Sequence, residues 1–388
     1  MPRTVEVMLG SSSTAMYSGS GTNYLVETPA GVLYCVYIIG NTVAFKKSTT
    51  NGLSWSTATT IYTGPITQLS IWYDRWSDIS AGLIHCVYAE STTDEVFYRS
   101  INTESSDALG TQTTVFSGAS TATGCAISVT RARGGNIYCL LSIDAGAENE
   151  WAKSTDTGAT WTYPTDTGSF EAATNDAWIL LPGWAADNQD IMCFFWDTSA
   201  NEISRKLWDD SAGAWSETSI AASMTKPAGS SSFPNFAAAV DITNSQNLLV
   251  AWSANDTLNA DLRCWKVTES AITEVTNVVL NSTDDQSLCA ICIELDTGYW
   301  HVFYTGKSDG SETVGTSVNV YKKVSVDGGT TWGSETLLTE RLRQINWLTC
   351  VPRPYNHVHP LFLSLTLGTD VMTIATAVQP KANYIIGI

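Results

Sequence analysis

One apolar, strand-like segment returns along this chain at steps of fifty-odd residues, and that periodicity restricts the fold more than any other feature. Four copies carry a cysteine at the same place: Cys35 in LYCVY, Cys86 in IHCVY, Cys139 in IYCLL and Cys193 in IMCFF. They lie 51, 53 and 54 residues apart. The position continues as Val250 in NLLVAW, Val302 in YWHVFY and roughly Leu361 in HPLFLSL, at steps of 57, 52 and about 59. An apolar segment precedes each copy by 10–15 residues, as in YLVET (24–28) and CAISVT (125–130). A third follows, as in VAFKKS (43–48) and VNVYKKVS (318–325), and a fourth after a turn, as in ATTIY (58–62), VTNVVL (275–280) and SETLL (334–338). The fourth segment of the third copy is not visible in the sequence.

Four short strands per repeat, separated by polar turns, predict an all-β chain. The architecture that uses such a repeat is a single β-propeller of seven four-stranded blades, with six blades as the alternative count. One domain then spans residues 1–388, with repeats starting near 24, 67, 124, 176, 234, 287 and 346. The seventh repeat lacks a clear fourth segment after Ala377, whereas TVEVML (4–9) alternates as a strand should. It is expected to supply the missing outer strand and close the ring, with NYIIGI (383–388) as the competitor. Closure also protects exposed sheet edges.

The net charge of −18 excludes nucleic acid as an expected partner, because no basic patch is available to displace counterions from phosphates. It likewise opposes anionic membranes and polyanionic glycans. No apolar run reaches membrane-spanning length and no signal pattern opens the chain, so no membrane insertion is expected and synthesis is placed in a cytoplasm. The nine cysteines lie mostly inside apolar segments, which suits free, buried thiols formed in a reducing compartment. Cys289-Ala290-Ile291-Cys292 stands alone, without the partners of a zinc site, so neither a metal nor a cofactor is expected.

The octet Ser154-Thr155-Asp156-Thr157-Gly158-Ala159-Thr160-Trp161 shares its skeleton with Ser325-Val326-Asp327-Gly328-Gly329-Thr330-Thr331-Trp332. Both carry Ser, Asp, Gly and Trp at the same offsets. A looser copy runs from Ser48 through Gly52 to Trp55 with Thr50 in the Asp position, and a degenerate one from Trp208 to Trp215 keeps Asp210 and Trp215. The octet resembles the Asp-box, or BNR repeat, of sialidases and related propellers. The resemblance implies a turn between a blade's third and fourth strands, on the face opposite the active site. In such a turn the Asp accepts backbone N–H groups, Gly takes a positive φ, and Trp packs back between sheets. Asp156 and Asp327 are therefore expected to be turn clamps.

The same resemblance implies three arginines, a Tyr–Glu nucleophile and an acid/base Asp in an active sialidase. Here Gly21 stands where the first arginine would be, ahead of Leu25, Val26, Thr28 and Gly31, which look like the family's continuation. Gly cannot replace a guanidinium clamp. A different glycosidase needs two facing carboxylates. The expected functional-face loops hold Glu90, Asp144, Glu148, Asp197, Asp256, Asp284, Asp285, Asp309 and Glu312. His357 and His359 are too few for a metal site, and His85 and His301 repeat a scaffold position, which favours packing. Trp196, Trp252 and Tyr304, near strand ends entering that face, are the candidate sugar-stacking platforms.

Three functions follow. The first is a non-catalytic binding or structural propeller, resembling those that phages carry on tails or capsids. It would be virion-associated, with other virion or assembly proteins and a cell-surface glycan as partners. The second is a glycoside hydrolase using loop carboxylates, and the third a cytoplasmic protein-binding scaffold.

Overall fold

The computed structural model describes residues 3–12, 24–73, 82–118, 125–143, 149–163, 177–184, 188–197, 200–224, 236–241, 243–252, 262–280, 288–312, 319–339, 345–351, 354, 360–366 and 369–378. The described strands pair, all antiparallel, into seven sheets that follow one another along the chain. Their first strands begin at Leu25, Ile66, Cys125, Ala177, Phe236, Cys289 and Ile345. We number them blades one to seven. Six carry four or more strands. Blade three has three, its fourth position marked by a single bridge between Lys153 and Thr162. Blade five's fourth strand is Ile272–Glu274 rather than the expected 275–280, with a lone bridge from Leu262 to Val279 beyond it.

The chain is a single β-propeller whose ring is closed by its N-terminal strand. Arg3–Ser12 pairs antiparallel with Thr369–Val378, from Arg3 opposite Val378 to Ser12 opposite Asp370, as the outer strand of blade seven. The competing segment 383–388 lies outside the described residues. Val351, just past blade seven's first strand, packs into the apolar cluster of blades one and two, which ties the last blade to the first.

The second strands explain why this sequence needs a ring. Leu33–Ile39, Ile191–Asp197 and Trp300–Thr305 are buried almost residue by residue, not at every other position. A strand buried on both faces reads as a continuous apolar run, and Leu, Val, Ile and the aromatics supply it. Both faces are covered because each sheet is sandwiched between neighbours. The core is thus a belt of inter-blade layers. One cluster runs from blade two to blade five, and others join blades one and two, five and six, and six and seven. The outermost strands alternate or lie exposed, as in Ala214–Ala222.

The turns after the third strands provide a second set of joints. In blade three, the Ser154 hydroxyl accepts the Gly158 N–H at 2.8 Å and donates to Asp156 Oδ1 at 2.8 Å. Asp156 Oδ1 accepts the Thr160 N–H at 2.8 Å, and Oδ2 accepts the Thr160 hydroxyl at 2.6 Å. Blade six repeats this with Ser325, Gly329, Asp327 and Thr331 at 2.6–2.9 Å. In blade one, Thr50 stands in for the acid: its hydroxyl oxygen accepts the Ser54 N–H at 2.9 Å, while Ser48 accepts the Gly52 N–H at 2.9 Å.

The turns of blades three and six then lean on the blade before them, whereas the Trp55 indole of blade one donates to the Gly52 carbonyl of its own turn at 3.0 Å. The Trp161 indole donates to the Thr113 hydroxyl of blade two at 3.2 Å, and Thr113 donates to the Gly158 carbonyl at 2.8 Å. The Trp332 indole donates to the Thr276 carbonyl of blade five at 2.8 Å. Gly158 sits at φ +87°, and a Cβ there would lie 2.0 Å from the Tyr98 ring of blade two. Only glycine permits both that conformation and that approach.

Candidate functional site

The candidate site is the ring face carrying the loops between second and third strands and the connections from one blade to the next. The octet turns sit at the opposite end of the third strands. Ser48, Gly52, Trp55, Ser154, Asp156, Gly158, Trp161, Ser325, Asp327, Gly329 and Trp332 all take part in the turn geometry described above or flank it. Bonds from the Thr160 hydroxyl and N–H hold Asp156 below the ordinary carboxylate range, and those from Thr331 bring Asp327 to about 2. These acids are clamped as carboxylates within their own turns.

Asp210 is a correction. It is not the clamp of blade four's turn; Asp209 is, accepting the N–H groups of Ser211 and Ala212 at 2.9 Å. The hairpin is tighter than the octet, so aligning it on Trp215 shifts the acid by one position. Trp215 still packs inward, 5.5 Å from the Trp151 ring. Asp210 instead points at blade three, accepting from Lys153 Nζ at 2.6 Å and Tyr138 OH at 2.9 Å, and from its own blade's Trp208 indole at 3.0 Å. Burial pushes its carboxyl up, and these bonds outweigh that and hold it low.

The same constellation joins blades one and two, where Tyr34 OH and Lys47 Nζ both donate to Asp107. Between blades four and five, Arg205 donates to the carbonyls of Thr268 and Glu269. In all five joints described here the turn belongs to the later blade and docks on the earlier one. Sequence reasoning missed these joints. Their signal is a Lys or Arg in the third strands of blades one, three and four, paired with an acid or an open carbonyl 57–64 residues onward.

The stacking platforms need correcting too. Trp196 is the penultimate residue of blade four's second strand but is 0% exposed, with its ring 6.1 Å from Phe236 of blade five. Tyr304 is also 0% exposed, and its hydroxyl donates to Glu335 at 2.7 Å. Neither ring offers a face to a sugar. Trp252 closes the strand Gln246–Trp252 opposite Leu262, and its side chain is outside the described residues.

The described candidate acids of this face, Glu90, Asp197, Asp309 and Glu312, each accept local hydrogen bonds, although Glu312 Oε2 is buried with no partner among the described residues. Glu90 accepts the N–H groups of Thr92 and Thr93 and the Thr93 hydroxyl at 2.7–3.1 Å. Asp197 accepts the Ala200 N–H at 2.8 Å. Asp309 pairs with Lys307 and accepts the Ser311 N–H at 3.0 Å. Glu312 Oε1 accepts from Asn319 at 2.8 Å and from Tyr321 OH at 2.7 Å. The Tyr321 ring lies 6.0 Å from that of Tyr304, so two Tyr–Glu pairs sit side by side in blade six. Burial, reinforced by the adjacent carboxylates, raises both phenols, and a protonated, covered phenol is no nucleophile. Asp144, Glu148, Asp256, Asp284, Asp285, His357, His359 and Gly21 lie outside the described residues. Among the described residues no group of three or more His, Cys, Asp or Glu could hold a metal ion.

His85 and His301 are both buried. His85 Nδ1 lies 2.8 Å from Tyr98 OH, and His301 Nε2 lies 3.6 Å from Glu294. Burial, with Lys322 nearby, depresses His301 to about 4 despite Glu294. The folded state thus favours the neutral ring, whereas the unfolded chain takes a proton near pH 6.5. The resulting stability is complete above about pH 6.5 and is lost as pH falls toward about 4. Between pH 7 and pH 4 the parent protein should lose about 2–3 kcal/mol more than His301→Gln, by urea midpoints at both pH values. Parallel losses would refute this.

No family model matches the chain, and no curated protein matches it. Among solved structures, AofleA from Arthrobotrys oligospora is similar with a TM-score of 0.51 and 8% identity, over 93% of this chain and 96% of that one. The NanB sialidase of Streptococcus pneumoniae gives 0.47 and 11%, over 96% and 70%. The Aleuria aurantia lectin, described as a six-bladed β-propeller that recognises fucose, gives 0.49 and 9%, over 79% and 95%. At these identities the likeness concerns the fold.

Proposed function

We propose that this chain is a non-catalytic β-propeller that works by binding. Its loop-bearing face holds a neutral carbohydrate, and its body is a component of a larger particle, a phage tail or capsid. The observation that carries the non-catalytic reading is the engagement of Glu90, Asp197, Asp309 and Glu312, each bonded within its own blade. Glycosidase chemistry needs two carboxyl groups released toward a shared substrate position. The net charge of −18 favours a neutral over an anionic ligand. The octets' resemblance to sialidase Asp-boxes supports the carbohydrate class, and the resemblance to phage propellers supports the particle.

A glycan array probed with the purified chain tests the ligand, and a hydrolysis assay on the glycans it retains tests catalysis. Retention of neutral glycans without turnover is expected. Turnover would replace the proposal with a hydrolase, and an array without retained glycans would remove the carbohydrate. Immunodetection in purified particles tests the assembly, and absence from them would remove that part.

A further inference from the structure

Among the described residues two aromatic side chains are exposed, Tyr163 at 51% and Tyr299 at 38%. Of the two, Tyr163 is the one braced against a neighbouring blade. Its hydroxyl donates to the Val115 carbonyl of blade two at 2.5 Å, and its ring lies 5.6 Å from that of buried Phe116. Thr162, just before it, exchanges both backbone bonds with Lys153, at 2.9 and 2.8 Å. The side chain is thus held at both ends, and its polar handle is spent on backbone. What it offers to solvent is a fixed apolar face, which binds with little further loss of side-chain freedom.

The ring stands beside the place where blade three lacks a fourth strand. The third strand, Asn149–Ser154, is the last in the order of that sheet. Lys153 spends its outward N–H and C=O on Thr162, and antiparallel alternation turns those of Trp151 outward as well. No described strand covers them, and Pro164, next after Tyr163, has no N–H with which to extend the ladder. Lys153 and Trp151 turn their side chains to blade four, onto Asp210 and Trp208. Glu150 therefore projects on the other side of the sheet, the side of Tyr163. We propose that this notch, at the rim between blades two and three, binds one neutral pyranose ring. The C–H face of the sugar stacks on Tyr163, and its hydroxyls take the Trp151 backbone and the Glu150 carboxylate. The site depends on the carbohydrate reading given above, but lies on the rim and not on the loop-bearing face. Charge selects the ligand, because Glu150 and a net charge of −18 oppose an acidic sugar. Length selects it too. Asn149 and Trp151 are the two outward residues left on this edge, too few for the ladder of an added peptide strand.

The test uses the full chain with fluorotyrosine in place of tyrosine, read by fluorine NMR during titration with the methyl glycosides of glucose, galactose and mannose. Methyl glucuronide is the anionic control. The Tyr163 resonance is the one missing from Tyr163→Phe, which keeps the ring and so the fold. That resonance is expected to shift and saturate with at least one neutral glycoside, and to stay in place with the glucuronide. Glu150→Gln should weaken the neutral titration by about tenfold, the loss of one charged acceptor. A Tyr163 resonance that none of the glycosides moves would overturn the site. Glycans retained on the array would then leave the carbohydrate reading standing, and a blank array would remove both. Equal affinity for the glucuronide would overturn the neutral class, and an unchanged Glu150→Gln titration the role of the carboxylate.

Discussion

Trp196→Ala should lower the unfolding free energy by about 3–5 kcal/mol, the cost of truncating a large aromatic in a packed interior. The indole is fully covered between blades four and five, beside Phe236. Removing it leaves a cavity that two hydrogen-bonded sheets cannot easily close. Trp196→Phe separates burial from recognition. The Trp196 Nε1 is buried with no partner among the described residues, so phenylalanine keeps much of the apolar volume and relieves an orphan donor. It should therefore cost much less than alanine in urea or guanidinium unfolding. Near-parental stability of Trp196→Ala would put the ring back at the surface, where a sugar could stack on it.

Asp210→Ala should cost about 3 kcal/mol, because the cost of an ion pair broken from one side is borne by the group left behind. Lys153 loses its carboxylate and the Trp208 indole loses its acceptor, while Tyr138 OH retains the Gln189 carbonyl at 2.8 Å. Asp210→Asn, which keeps an acceptor without the charge, should recover part of the loss. The neighbouring Asp209→Ala should cost less, since that exposed side chain serves its own turn only. A double-mutant cycle with Lys153→Met checks the assignment. Additive effects would show that the inter-blade pair contributes nothing.

The fifty-odd-residue period located the second strands, four of them at a cysteine, because the repeating sheet position demands an apolar residue each time. The alternation in residues 4–9 located the closing strand, because an outer strand keeps one exposed face. Trp196 was misread for a physical reason. Period-two reasoning assumes one wet face, but a blade inside the ring has neighbours on both, so a residue out of register with the buried set is merely buried against the other blade. Asp210 was misread because a turn's length, not its terminal Trp, sets which acid reaches the backbone. The joints through Lys47, Lys153 and Arg205 were illegible, since their partners lie 57–64 residues away and only the ring brings them together.

The direction of those joints bears on how the chain is made. In each described case a later turn grips an earlier blade, so a repeat leaving the ribosome finds its docking surface already in place. Residues 3–12 are the exception. They precede all seven first strands, yet their partners at 369–378 come after all the intervening repeats. Such a long loop carries the largest closure entropy of the described pairings. Until that zipper forms, the outer edge of blade seven is left unpaired and open to another copy's first strand. Domain exchange through this one strand is thus the misassembly to which a dense population of nascent chains is most exposed.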